Sequence, residues 1–355
     1  MKRRMLFGVM APVLSILAMA CGPAAPPTPP PAPASAPPPA KPAAPPPAPK
    51  PPPEPAKPVS KAPTLPDFEQ TARKSLPAGF EEVHKNIEGK YFEQALTALE
   101  PKEQEGKQGK LSPEQKMLVY AVQGFSYAMQ NDTAKAKGSY RRLLPMWGNW
   151  RKEVKAIKAL AGDDAKAEPR IALAVDTVGE ALFFLAEDKH RPKIDQIVFP
   201  TYEGEADPRM VHKHLDGKVK RFVDGRSLRI KQAKKEYDKM AKLEPVKPGR
   251  WLVASASRMG AFHAQILEAL RAMTPPAEWQ DKGPSTFTDP TKGKEPLGWE
   301  TIQTDYKTKV DELMAPVKKN ATEAYEECVA FAKEHKVPAT DPFAKSCSDW
   351  LAANR

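Results

Sequence analysis

At 355 residues the chain has room for one or two domains, and 41 of those residues are proline. The formal charge is +11, a balance that suits anionic lipid headgroups, lipopolysaccharide phosphates or acidic wall polymers. Lys and Arg are nevertheless mixed with Asp and Glu all along the body, the pattern of solvated helix faces, and this argues against a nucleic-acid groove.

The chain opens with a basic cluster, Lys2, Arg3 and Arg4, then an apolar run from Met5 to Ala20. The run is short for a membrane span and ends in small residues, so residues 1–20 read as a cleaved signal peptide. Leu17-Ala18-Met19-Ala20-Cys21-Gly22 follows. It resembles the lipobox of bacterial lipoproteins, with Leu17 one place earlier than that family prefers. The resemblance implies cleavage before Cys21, a diacylglycerol thioether on its sulfur and acylation of its amine. Each buried methylene contributes about 0.8 kcal/mol, so several acyl chains anchor essentially permanently. Gly22 in place of Asp implies sorting to the outer membrane, with the body facing the periplasm and no access to nucleic acid. Without its three leader charges the mature chain carries +8.

Residues 23–66 are almost entirely Pro and Ala, with Lys41, Lys50, Lys57 and Lys61 interspersed. Proline fixes φ and removes a donor, so the expectation for 21–66 is a disordered, polyproline-rich linker behind the lipidated Cys21. At about 3.1 Å per residue it could reach roughly 130 Å and touch peptidoglycan.

From Asp67 onward apolar residues recur at helical spacing, and the expected class is all-α. Phe80, Val83, His84 and Ile87 mark a first helix; Tyr91, Ala95, Leu96 and Leu99 mark its return, expected to stop at Pro101. Ser112-Pro113-Glu114-Gln115 is a capping box with proline in the first turn. Tyr120, Gly124, Tyr127, Ala136 and Tyr140 then have the offsets of a tetratricopeptide repeat (TPR), which this stretch resembles. Gly124 would admit the paired helix, Ala136 would face it, the three tyrosines would fill the groove, and Asn131 would take a left-handed turn. The resemblance implies antiparallel hairpins over 67–200, extended by long helices over 201–355.

A short amphipathic helix is expected at Val154, Ile157 and Leu160, and a buried one from Ala172 to Leu185. Ile197 to Tyr202 is the one candidate strand. Asp207-Pro208 starts a long helix that could run to Leu243, weakened at Gly217 and Gly225. Trp251 to Met273 carries small residues at high density, hence close helix packing. An exposed loop over 274–298 precedes three helices: Trp299–Leu313, Pro316–His335 and Pro342–Ala352. Ala181–Glu187 (ALFFLAE), Phe199-Pro200-x-Tyr202-x-Gly204, Tyr325-Glu-Glu-Cys328 and Ser346-Cys347-x-x-Trp350-Leu351 together resemble long-helix TPR envelope proteins of myxobacteria, of the gliding-motility or surface-assembly type.

With Cys21 lipidated, Cys328 and Cys347 remain, the even remainder expected of one disulfide in an oxidising compartment. The alternative is two unrelated buried thiols. No catalytic, phosphate-binding or metal motif is present, so no cofactor and no metal are expected. His212 and His214 point to different sides of a helix and read as solvated; His263 reads as a hydrogen-bonded packing residue and Glu180 as a surface acid. Trp147, Trp150, Trp251, Trp279 and Trp299 read as core. The expected function is a non-enzymatic, lipid-anchored periplasmic scaffold that binds other envelope proteins. The rival readings are a peptidoglycan-associated enzyme or enzyme activator, which requires two convergent carboxylates, and a lipid or small-ligand carrier, which requires a cavity of several hundred cubic ångströms.

Overall fold

A computed structural model describes residues 76–280 and 298–354. The signal peptide, Cys21, the proline-rich linker and most of the expected 274–298 loop lie outside the described residues. Those described are all-helical, without a strand.

Eleven α-helices are described: α1 (Glu81–Glu88), α2 (Phe92–Lys107), α3 (Pro113–Met129), α4 (Thr133–Leu143), α5 (Trp150–Ala161), α6 (Asp164–Asp195), α7 (Pro208–His214), α8 (Lys220–Tyr237), α9 (Gly249–Arg271), α10 (Trp299–Glu334) and α11 (Pro342–Asn354). Local chemistry places many of their starts. At α3 the Ser112 amide donates to Gln115 Oε1 at 3.1 Å, closing the capping box. Carboxylates of Asp132, Asp163 and Asp207 accept from the first-turn amides of α4, α6 and α7. Asn131 takes φ +61° in the α3–α4 turn, a conformation that asparagine tolerates.

Several elements depart from expectation. Proline does not stop α2 at Pro101, and α10 runs through Pro316 as one helix where two were expected. Each proline forfeits one backbone bond; in α10 the buried stripe continues across it, through Val310, Val317 and Ala321. α6 extends well beyond the Ala172–Leu185 segment for the same reason. The expected 207–243 helix ends at Tyr237 and contains a π-turn, Leu215–Val219, around Gly217. Arg221 Nε donates to the Gly217 carbonyl at 3.0 Å, beside the Lys220 amide that the same oxygen accepts. Ile197–Tyr202 forms no strand: Ile197 closes a turn on the Ile194 carbonyl, Pro200 lacks a donor, and no strand lies among the described residues.

The core falls into three clusters linked by shared helices. Phe80, Val83, Leu99, Leu118 and Phe125 join α1, α2 and α3. Met117 and Ala121 on the other side of α3 pack with Tyr140, Ile157 and Val175. Further along α6, Phe183 enters the largest cluster, which holds α8 to α11. α9 is the axis of that cluster and is buried along nearly its whole length. Its Gly260 carries the ring of Tyr325 so closely that a Cβ would meet it at 2.7 Å. Tyr325 in turn stacks on Trp350 at 4.6 Å between centroids.

Candidate docking cleft

α6 ends at Asp195, and the sequence Phe199-Pro200-Thr201-Tyr202-Glu203-Gly204-Glu205 after it is not helical; Pro200 disfavours helical geometry at Phe199. The segment is pinned at four points. Phe199 meets Phe222 edge-on at 5.0 Å. His214 Nε2 lies 3.1 Å from the Pro200 carbonyl, which can only accept, so that nitrogen carries the proton. Tyr202 packs edge-on against the same imidazole at 5.1 Å, and its hydroxyl donates to the Glu205 carbonyl at 2.5 Å. Trp279 Nε1 donates to the Ala206 carbonyl at 2.7 Å, and Gln303 of α10 donates to the Trp279 carbonyl at 2.5 Å. Gly204 makes the loop possible: a Cβ there would lie 2.7 Å from the Tyr202 hydroxyl oxygen.

Two depressions flank this pinned loop and share Tyr202 and His214 as their common wall. One, of about 600 Å³, is largely apolar, with Phe199, Val211, Leu215, Met273, Pro276 and Tyr306 around it. The other, of about 830 Å³, lies against the π-turn. One of its sides carries Met210, Lys213, Lys218 and Arg221; the other carries Glu203 and Asp207. Such a pair of depressions accepts an extended segment or a helix edge, with apolar side chains in the first and charged ones in the second.

Of the residues singled out from sequence, Phe199, Pro200, Tyr202, Gly204, His214 and Trp279 meet at this cleft, and the others lie elsewhere. In the α3–α4 seam a Cβ on Gly124 would meet the Tyr140 ring at 2.6 Å, and Ala136 is fully buried beside it. Tyr120 and Tyr127 are half-buried, the latter with the Lys135 ammonium 5.3 Å from its ring centre. Tyr140 is tied to α6: its hydroxyl donates to Glu180 Oε1 at 2.7 Å, and its ring lies 4.8 Å from that of Phe184. Glu180 is therefore not a surface acid but 1% exposed, because its partner comes from forty residues upstream. Cys328 and Cys347 are bonded, joining α10 to α11. Cys21 lies outside the described residues. His214 is buried against the loop and not solvated. His263 Nδ1 is buried without a hydrogen-bond partner among the described residues, contrary to the expectation of a bonded packing residue. Trp147, Trp251 and Trp279 are core, whereas Trp150 and Trp299 are half-buried.

Sequence reasoning passed over the polar centre of the large core. Tyr237 donates to Glu187 Oε1, and Arg258 Nε lies 3.0 Å from Glu187 Oε2, with the guanidinium almost wholly buried. Burial, then the adjacent Glu187 charge, push the Tyr237 phenol well above its ordinary value, so it stays a donor. The only sequence signal was an arginine set within the small-residue face of α9. No family model, curated protein or solved structure matches this chain.

Proposed function

We propose that the chain is a lipid-anchored envelope scaffold, tethered at Cys21 and carrying a helical body that holds a partner protein in the cleft beside Tyr202. On this reading the lipobox-like Leu17–Gly22 supports an outer-membrane anchor, and residues 23–66 set the reach into the periplasm. α3 and α4 are read as one TPR-like unit; the close seat of Tyr140 on Gly124 supports that reading. The similarity to myxobacterial envelope proteins of the motility or surface-assembly type belongs to the same proposal.

One observation carries it. The apolar depression and the charged depression meet along a loop held by hydrogen bonds from His214 and from Trp279, which supports a preformed surface of mixed chemistry for a protein segment. The experiment compares capture from crosslinked envelopes by wild type, Met273→Asp and Cys21→Ala. Met273→Asp should lose the partner while staying in the membrane fraction, with its melting followed alongside because Met273 packs against the large core. Cys21→Ala should lose palmitate labelling and the membrane fraction. A partner held equally by wild type and Met273→Asp removes the cleft from the proposal; palmitate incorporation without Cys21 removes the anchor.

A further inference from the structure

A second groove, of about 610 Å³, lies between α8, α9 and α10 and shares no residue with the Tyr202 cleft. Helical periodicity builds it. α8 presents Leu228, Lys231 and Lys234 at three-residue steps, and α10 presents Glu323 and Glu327 one turn apart. Met259 and His263 of α9, also one turn apart, lie between them.

Charge is divided between the walls, lysines on α8 and glutamates on α10. At one end the walls already meet, since Lys234 lies 3.9 Å from Glu327. One turn along, Lys231 has no ion-pair partner among the described residues. Glu323 has only Lys319 of its own helix, at 3.9 Å with both groups exposed, which is worth little. Leu228 is 57% exposed, a large apolar group left open at this edge. His263 is only 8% exposed and its Nδ1 has no partner among the described residues, an arrangement costly for a polar atom unless something else meets it. Burial holds this imidazole down to about 4, so at neutral pH it adds no charge and can donate or accept a single hydrogen bond.

An anionic ligand would be opposed by the glutamates and a cationic one by the lysines. We propose that this groove binds a short zwitterionic peptide of two or three apolar residues: its carboxylate on Lys231, its ammonium on Glu323, its side chains on Leu228 and Met259, and one polar atom on His263 Nδ1. The volume suits a peptide of that size better than a single amino acid. The inference is independent of the partner reading, which rests on other residues.

Calorimetry of the mature, lipidated chain in detergent tests it with leucyl-leucine, its N-acetyl derivative and its C-terminal amide. The free dipeptide should bind saturably with Kd between micromolar and millimolar, and each blocked form about tenfold more weakly, having lost one ion pair. Lys231→Glu and Glu323→Lys should each weaken binding about tenfold, and the double exchange should restore it. Both positions are exposed, so melting should be unchanged. No binding up to about 10 mM, equal binding of all three peptides, or indifference to the charge exchange would overturn the proposal.

Discussion

Two glycines do the same work in two parts of the molecule. Gly124 lies under Tyr140 in the α3–α4 seam, and Gly260 lies under Tyr325 in the α9–α10 seam; a Cβ at either would intrude on the ring at under 3 Å. What holds each ring differs. Tyr140 is fixed by a hydrogen bond to a buried carboxylate on α6, and Tyr325 by an aromatic stack on Trp350 of α11. The first region is thus a set of short helices fastened by polar ties at its edge. The second is a thick bundle around α9, with an ion pair inside and a disulfide at its end. Close helix approach needs only a missing Cβ; what makes it rigid is whatever pins the side chain laid across the gap.

The largest break falls in the second region. Arg258→Met strands Glu187 beside Tyr237 and should cost about 3–5 kcal/mol, read by denaturant unfolding. Acid should act there too. His263 is held down to about 4 by burial against an ordinary 6.5, so the unfolded chain binds the extra proton between those values. Its contribution, up to about 3 kcal/mol, is complete above pH 6.5 and is lost as pH falls through 4. Burial lowers His190 as well and adds in the same direction. Thermal melts from pH 7 to pH 4 should slope downward, and His263→Phe should flatten the slope.

Opening the disulfide should cost a similar amount. Cys328 and Cys347 are 19 residues apart, and releasing that loop should lower stability by about 3 kcal/mol, seen as a melting shift on adding reductant that the double serine variant lacks. The two glycines give the sharpest comparison. Gly124→Ala and Gly260→Ala should each cost about 1–3 kcal/mol through overcrowding. The Gly260 change should cost more, because Tyr325 is backed by Trp350 and cannot retreat. Paired denaturant curves decide the order.

Much of the first region was legible because its rules are local. A capping box, an asparagine at a left-handed turn and an alanine between two tyrosines are all read within a few residues. The cysteine pair was legible by counting. Helices that run through Pro101 and Pro316 were not, since what retains them is packing against the neighbouring helices, α1 and α3 for α2, α9 and α11 for α10, which a local proline rule does not read. The burial of Glu180 depends on Tyr140 forty residues away, and that of His214 on a carbonyl fourteen residues away. The cleft was hidden for the same reason: its motif, Phe199-Pro200-x-Tyr202-x-Gly204, was visible, but the π-turn and the Trp279 clamp that make it a surface were not.

A photoactivatable amino acid tests the scaffold proposal most directly. Placed at Met273 beside the apolar depression, and separately at exposed Lys155 on α5 as a control, it would be irradiated in intact envelopes. A discrete crosslinked partner from position 273, with none from position 155, is the expected result. No adduct at 273, or the same adducts from both positions, would contradict it.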